Sequence, residues 1–392
     1  MTDQLAYGLI TPYSLYKSRT GGIIGRMLAR PDLQLVATRM YVLSDNFIDE
    51  YKQIICPPQT DPTTAAAWSE YLDSSLRQHD GGGYLPRCML LLFRGPSAVR
   101  RLKEDIIGGF TERPVGDTVR GTFGDLVRDS SGAVKYFEPA VITCPDPKLN
   151  RKHLKLFAKY ALSDGGVLTG RVKPEEYGGI PEVSLVVLKP DNFYRPSRRP
   201  GNIIDTFSLT GLKIVAAKLF TMTVAQGEQF YGPLKEIFLE KLKFLVVNTI
   251  RDRLRDAFDF PFTEEDAEKM ADLLAARNAT CEFNKIVEYM TGVCPDSVSG
   301  PQKVSAGNAK CLALLYEGPG AIQKIRAVLG STDPSKAEPG TVRSDFGLDL
   351  MRNGAHASDS AENAMRERKI VGLVETERDS CDLSEIIEAH IS

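Results

Sequence analysis

The sequence predicts an α+β protein built from two tandem ferredoxin-like (split βαβ) domains, and three observations carry that expectation. The chain repeats itself: "LLLFRGPSAVRRLKEDIIG" (90–108) and "LALLYEGPGAIQKIRAVLG" (312–330) are each an apolar strand, a Gly-Pro turn and an amphipathic helix. Further on, "GDTVRGTFG" (116–124) matches "PGTVRSDFG" (339–347), and the pairs Gly95/Gly318 and Arg120/Arg343 are both 223 positions apart. Finally, each copy reads strand, helix, strand, helices, strand, helix, loop, strand, helix, the mixed order of a split βαβ sheet.

The elements follow in order. "YGLITPYSLY" (7–16) opens the first copy as "LVVLKPDNFY" (185–194) opens the second, and "SLVVLK" (184–189) is a β-rich run stopped by Pro190-Asp191. "GNIIDTFSLTG" (201–211) reads as a helix closed by glycine. "LKIVAAKLFTM" (212–222) reads as the second strand, and "CLALLYEG" (311–318) as a third, buried on both faces. The Gly, Pro and charge-rich stretch 163–182 reads as a flexible or loosely docked linker, which gives domains 1–162 and 183–392.

Two insertions break the symmetry. The second copy carries about 43 extra residues, mostly within 238–280, read as two helices joined at "FPFTEED" with Thr263 as N-cap. "DLVRDSSGAVKYFEPA" (125–140) reads as a hairpin turning at Ser131-Gly132. The tail "CDLSEIIEAHIS" (381–392) reads as an amphipathic helix with Leu383, Ile386 and Ile387 on one stripe, capping a subunit.

Composition excludes several functions. A net charge of −2 gives no field to recruit nucleic acid or an anionic membrane. No apolar run approaches the roughly 18 residues of a membrane span, and the N-terminus lacks a basic, apolar leader, so a cytoplasmic location is expected. The seven cysteines form no CxxC pair, which argues against zinc, and their odd number argues against a disulfide framework. The "GGG" at 81–83 has no Lys-Ser/Thr after it and reads as a flexible turn, not a phosphate loop.

The strand ending "LKPD", then "QFYGPLK", "YEGPGAIQKIRAVLG", "STDPSKAEPGTVRSDFG" and "NGAHASD" follow one another in the second copy. In that order they resemble the nucleoside diphosphate kinase family over residues 183–374, apart from the insertion. The resemblance implies γ-phosphate transfer between nucleoside tri- and diphosphates by a ping-pong route through a phosphohistidine, here His356. It implies Lys189, Arg326 and Arg343 as phosphate-binding cations, Thr332 as a phosphate-contacting hydroxyl and Asn353 on the sugar. Tyr231 and Ser358 match the family's active-site hydroxyls, and Glu367 the carboxylate that orients the ring. Asp359 matches the acid associated with Mg2+, which rides mainly on the nucleotide. Phe283 is the nearest base-stacking aromatic, although strict register puts Glu282 at that place. The residue types suit this chemistry, because imidazole is a good nucleophile near neutral pH and phosphoryl transfer depends on charge stabilisation. One departure stands beside the nucleophile. Ala357 replaces the usual glycine, at a cost of about 1 kcal/mol if the turn requires φ > 0.

The first copy keeps Tyr51 and Arg120 but writes Thr11 for Lys189, Lys103 for Arg326, Ala140 for Asn353 and Thr143 for His356. His153 reads as a surface helix position. The first copy is therefore expected to be a pseudo-enzyme domain that packs, assembles or regulates, with an intrachain pseudo-dimer and a larger homo-oligomer as the expected self-association. The alternative is a scaffold protein, for example ciliary, with vestigial kinase activity.

Overall fold

The computed structural model describes residues 3–78, 85–109, 116–132, 134–170, 179–375 and 381–391. The "GGG" turn and linker residues 171–178 lie outside the described residues. The first half runs β1 (Asp3–Ile10), α1 (Pro12–Tyr16), α2 (Thr20–Leu28), β2 (Gln34–Val42), α3 (Asp45–Lys52), α4 (Pro62–Tyr71), β3 (Arg87–Pro96) and α5 (Ala98–Arg101). A π turn, Leu102–Ile107, continues α5. Then come α6 (Val119–Phe123), β4 (Asp125–Arg128), β5 (Val134–Glu138), β6 (Val141–Thr143) and α7 (Asn150–Lys159). The second half runs β7 (Glu182–Leu188), α8 (Arg199–Ser208), β8 (Lys213–Thr221), α9 (Val224–Tyr231), α10 (Leu234–Leu254), α11 (Glu264–Thr291), β9 (Lys310–Gly318) and α12 (Ala321–Leu329). It ends with α13 (Val342–Phe346), β10 (Ala355–Ala357), α14 (Ala361–Ile370) and α15 (Cys381–Ile391).

Two four-stranded sheets result, ordered β2-β3-β1-β6 and β10-β7-β9-β8. Each is ferredoxin-like: the first strand sits between the third and the fourth, and the second strand is an edge. The central strands β1, β3, β7 and β9 are buried over nearly their whole length, as their apolar runs require. The predicted hairpin is β4–β5, with Gly132 at φ 85 in its turn.

Contacts divide the chain into two compact units: the part up to Phe220 together with Leu312 onward, and Thr221–Cys311. Both sheets lie in the first unit. There, α2 and α8 cross so closely that a Cβ on Gly21 or on Gly201 would overlap the other glycine's carbonyl oxygen. Only glycine allows that approach.

Residues 163–170 of the linker are pinned, not loose. Val42 N donates to Asp164 O and Gly166 N to Met40 O, both at 2.9 Å, while Leu168 N donates to Val215 O at 2.9 Å. The segment thus extends the edge strand of each sheet in turn, and Leu168 is fully buried. Its glycines permit this path; they do not signal mobility. In α15, Leu383 and Ile387 are buried and Ile386 is half-buried; the helix packs on α7 and β2, with Ser384 Oγ donating to Ala158 O at 3.4 Å.

The second unit is mainly the helical hairpin. Thr263 caps α11 with a reciprocal box, Asp266 N to Thr263 Oγ1 at 3.2 Å and Thr263 N to Asp266 Oδ2 at 3.0 Å. Val247 and Ile250 of α10 pack on Ala267 and Ala271 of α11. The two helices expected in 238–280 are α10 and α11, joined through residues 255–263 and extending beyond both bounds. Among the described residues no helix is long and apolar enough to cross a membrane.

Candidate active site

Strand pairing sets the site. Antiparallel to β7, β10 places His356 opposite Val187, Ala355 opposite Leu188 and Ala357 opposite Val186. His356 is half-buried and Ser358 fully buried. From α14, Glu367 (4% exposed) presents Oε2 to both: His356 Nε2 lies at 2.9 Å and Ser358 Oγ donates at 2.6 Å. A carboxylate only accepts, so the imidazole carries its proton on Nε2 and its lone pair on Nδ1. Arg366 donates to Glu367 Oε1 at 3.4 Å.

Lys189 follows the last residue of β7 and is buried. Its Nζ donates to Asn353 Oδ1 at 2.7 Å and to Met351 O at 2.9 Å. Asn353, also buried, donates from Nδ2 to Thr332 O and Leu350 O, both at 3.0 Å. Arg343 reaches Thr332 Oγ1 at 3.3 Å, Gly330 O at 3.1 Å and Ala355 O at 3.4 Å. Arg326 is an exposed position of α12. Asp359 is exposed, and its carboxylate is held below the usual range by the hydrogen bond from Asn363 (2.7 Å), helped by the charge of Arg326. The first unit thus brings together His356, Glu367, Ser358, Lys189, Asn353, Thr332, Arg343, Arg326 and Asp359. Sequence reasoning missed the buried Asn192, whose Nδ2 ties Lys189 O (2.9 Å) to Gly354 O (2.7 Å). An amide just after a strand-ending "LKPD" was the available signal.

Tyr231 and Phe283 belong to the second unit. Tyr231 closes α9 and is buried, its ring 5.0 Å from that of Phe230. Phe283 is buried on α11 with Lys235 Nζ 5.8 Å from its centroid, while Glu282 is half-buried and pairs with Lys285.

The left-handed residue of the turn is Gly354 (φ 83), and Ala357 is an ordinary strand residue. The glycine-to-alanine change beside the histidine therefore carries no backbone strain.

In the first half, Thr11 N donates to Ala140 O as Lys189 N does to Gly354 O, both at 3.1 Å, so Thr11 does stand for Lys189. The remaining register corrects the sequence reading. Val141, Ile142 and Thr143 pair with Ile10, Leu9 and Gly8, so the counterpart of His356 is Ile142, not Thr143. Ala140 (φ 56) matches Gly354, not Asn353, whose counterpart is Pro139. Pro145 is an extra residue, and anchoring on Asp146 slid the strand by one, which reverses its faces. His153 is fully buried rather than at the surface. Its Nε2–H donates to Ile54 O at 2.8 Å, and Nδ1 accepts from Tyr7 Oη at 2.7 Å, which in turn stands 2.6 Å from Tyr51 Oη.

A carboxylate-held imidazole at a ferredoxin-like sheet, with lysine and arginine side chains nearby, suits nucleophilic capture of a phosphoryl group. The family model described as nucleoside diphosphate kinase matches residues 261–372. The nucleoside diphosphate kinase of Symbiobacterium thermophilum is 31% identical over 189 residues, 48% of this chain and 85% of that one. That of Wolinella succinogenes is 32% identical over 186 residues, 47% of this chain and 91% of that one. A solved nucleoside diphosphate kinase of Aquifex aeolicus is 24% identical, covering 49% of this chain and 95% of that chain, with a TM-score of 0.30. The chain belongs to the nucleoside diphosphate kinase family.

Proposed function

We propose that the protein is a nucleoside diphosphate kinase with one working site, in residues 183–392, and an inactive first domain, 1–162. His356 Nδ1 attacks the γ-phosphorus of a nucleoside triphosphate. The N–P bond forms as the bond to the bridging oxygen breaks, and the electron pair leaves with the nucleoside diphosphate. A second diphosphate then takes the phosphoryl group by the reverse displacement. Glu367 holds the Nε2–H tautomer and stabilises the cationic ring of the phosphohistidine. Lys189, Arg326, Arg343 and Thr332 are assigned to the phosphates, Asn353 to the sugar, Phe283 to the base, and Tyr231 with Ser358 to the active-site hydroxyls. The ionised oxygens of Asp359 suit a hard cation, and Mg2+ shared with the nucleotide phosphates would neutralise their charge. A cytoplasmic location accords with this reading.

The observation that carries the proposal is Glu367 Oε2 at once 2.9 Å from His356 Nε2 and 2.6 Å from Ser358 Oγ. Incubation with γ-labelled ATP tests it: an acid-labile label is expected on the wild type and none on His356→Ala. Failure of the wild type to take up label would sink it.

The first domain's role is structural in this reading, and the α2–α8 crossing supports an intrachain pseudo-dimer. A scaffold function is favoured by Ile142, which leaves that half no nucleophile. It predicts a stable partner or filament whose formation survives His356→Ala.

A further inference from the structure

Given the proposed kinase function, on which this inference rests, we propose that Asn192 is a positioning residue that locks Lys189 to the turn presenting His356. The turn is strained. Ala355 N donates to Asn353 O at 3.0 Å, which closes a three-residue turn around Gly354 at φ 83. Such a turn persists only where its surroundings hold it. Two donors converge on Gly354 O: Lys189 N at 3.1 Å and Asn192 Nδ2 at 2.7 Å. The same Nδ2 donates its second hydrogen to Lys189 O at 2.9 Å. One amide thus joins the residue after β7 to the residue before β10, two positions ahead of the nucleophile. The amide's own turn, Pro190–Asn192, is anchored by Asp191, which pairs with Arg199 at 2.7 Å.

The first half supplies the control. Its turn has the same form, Val141 N to Pro139 O at 2.6 Å around Ala140 at φ 56. Ala140 O again has two donors, Thr11 N at 3.1 Å and Ser14 Oγ at 3.2 Å. Ser14 follows Thr11 by three positions, as Asn192 follows Lys189. A hydroxyl has one hydrogen to donate and an amide has two. Serine is therefore enough to hold the turn, and the half proposed to be inactive uses serine. The second bond, to the carbonyl of residue 189, belongs to the half that has a lysine to place. Stability does not account for it. Asn192 is 1% exposed, and its Oδ1 has no hydrogen-bond partner among the described residues. A buried acceptor left unmet costs stability, so the amide is kept against that cost.

Without the clamp, Lys189 and the His356 turn no longer hold one separation, and the charge developing on the transferring phosphoryl group meets a misplaced cation. The test is single-turnover phosphorylation of the full chain by γ-labelled ATP, for wild type, Asn192→Ser and Asn192→Leu. Asn192→Ser keeps one donor and is expected to label to the wild-type amplitude, at a rate about tenfold lower at saturating ATP. Arg326 and Arg343 still bind the phosphates, so the half-saturating ATP concentration should change less than about threefold. Asn192→Leu, with no donor, is expected to be slower still. Amplitude counts folded sites and rate reports their geometry, so a merely structural asparagine would lower the first and leave the second. A wild-type rate in Asn192→Ser, at any amplitude, would overturn the proposal. So would failure of that variant to fold, since serine suffices for the turn in the first half. Either result beside a wild type that labels normally removes the clamp alone, whereas a wild type that takes no label removes the kinase reading with it.

Discussion

His356 Nε2 and Glu367 Oε2 lie 2.9 Å apart, one on β10 and the other on the first turns of chain beyond it, in α14. The contact decides which ring nitrogen bears the lone pair. Glu367→Gln presents either an amide that donates, which reverses the tautomer, or a weaker acceptor. A loss of about 10²-fold in kcat is expected, the scale of a positioned proton acceptor. Ser358→Ala leaves the carboxylate in place and is expected to cost less, about tenfold. Rapid-quench measurement of phosphohistidine formation separates these from effects on nucleotide release. Equal rates for wild type and Glu367→Gln would count against the assignment.

Ala357 is expected to be neutral for catalysis. It is an extended strand residue, so Ala357→Gly gains no turn freedom and should not raise kcat. Gly354→Ala is different, because φ is 83 there. A side chain in that region costs about 1–2 kcal/mol, and the strain falls on the peptide whose carbonyl accepts from Lys189 N. Steady-state kinetics of both variants, with urea midpoints, check the pair. An activity gain in Ala357→Gly would show that the turn had been misjudged.

What the sequence made legible was local. The apolar run of β9, the Gly-Pro turn after it and the Thr263 cap each depend on neighbours within a few positions, and each lies where the pattern put it. The repeat carried the topology further, since one copy's order predicts the other's. What failed was non-local or a matter of one residue. His153 sits in "NRKHLKLF", a run that looks solvated, yet its ring meets Tyr7, 146 positions away. The faces of β6 depend on a single extra proline that no short anchor reveals. The linker's glycines said nothing of the edge strands that would hold them.

The His153 network predicts a stability loss in mild acid. Burial pushes the imidazole down to about 4, against about 6.5 for an exposed ring. The folded-state value is therefore depressed. Above pH 6.5 neither state holds the proton, and this contribution is complete. Between 6.5 and about 4 the unfolded chain takes up a proton that the folded one refuses, and stability falls. The loss levels off below about 4, at roughly 3 kcal/mol. Urea midpoints at pH 7.5 and 4.5 should differ more for the wild type than for His153→Gln, which keeps one donor and one acceptor but cannot titrate. An identical pH dependence would remove His153 as the cause.

On the proposed inactivity of the first half, Glu138 is the residue expected to bar phosphate chemistry there. The carboxylate, 2% exposed, accepts from Thr11 Oγ1 at 2.8 Å, Ala140 N at 2.9 Å and Tyr71 Oη at 3.1 Å. Thr11 is the counterpart of Lys189, so a buried acid stands where the second half has a cation. Burial nevertheless raises its pKa, and the bonds from Thr11, Ala140 and Tyr71 offset that only in part. The charged form is thus less favoured in the folded state than in the unfolded chain. Since the folded-state value is the higher one, the penalty is present above it and vanishes as the carboxyl protonates. Glu138→Gln keeps the acceptor for Thr11 and Ala140 without the charge. Its melting temperature is expected to equal or exceed the wild type's at pH 8, with the difference closing by pH 4. Installing the nucleophile alone should fail: Ile142→His in a His356→Ala background is expected to take no label from γ-labelled ATP, because the cation is missing and a carboxylate repels the phosphate. Acid-labile label on that double variant would mean that the first half still binds and orients a nucleotide.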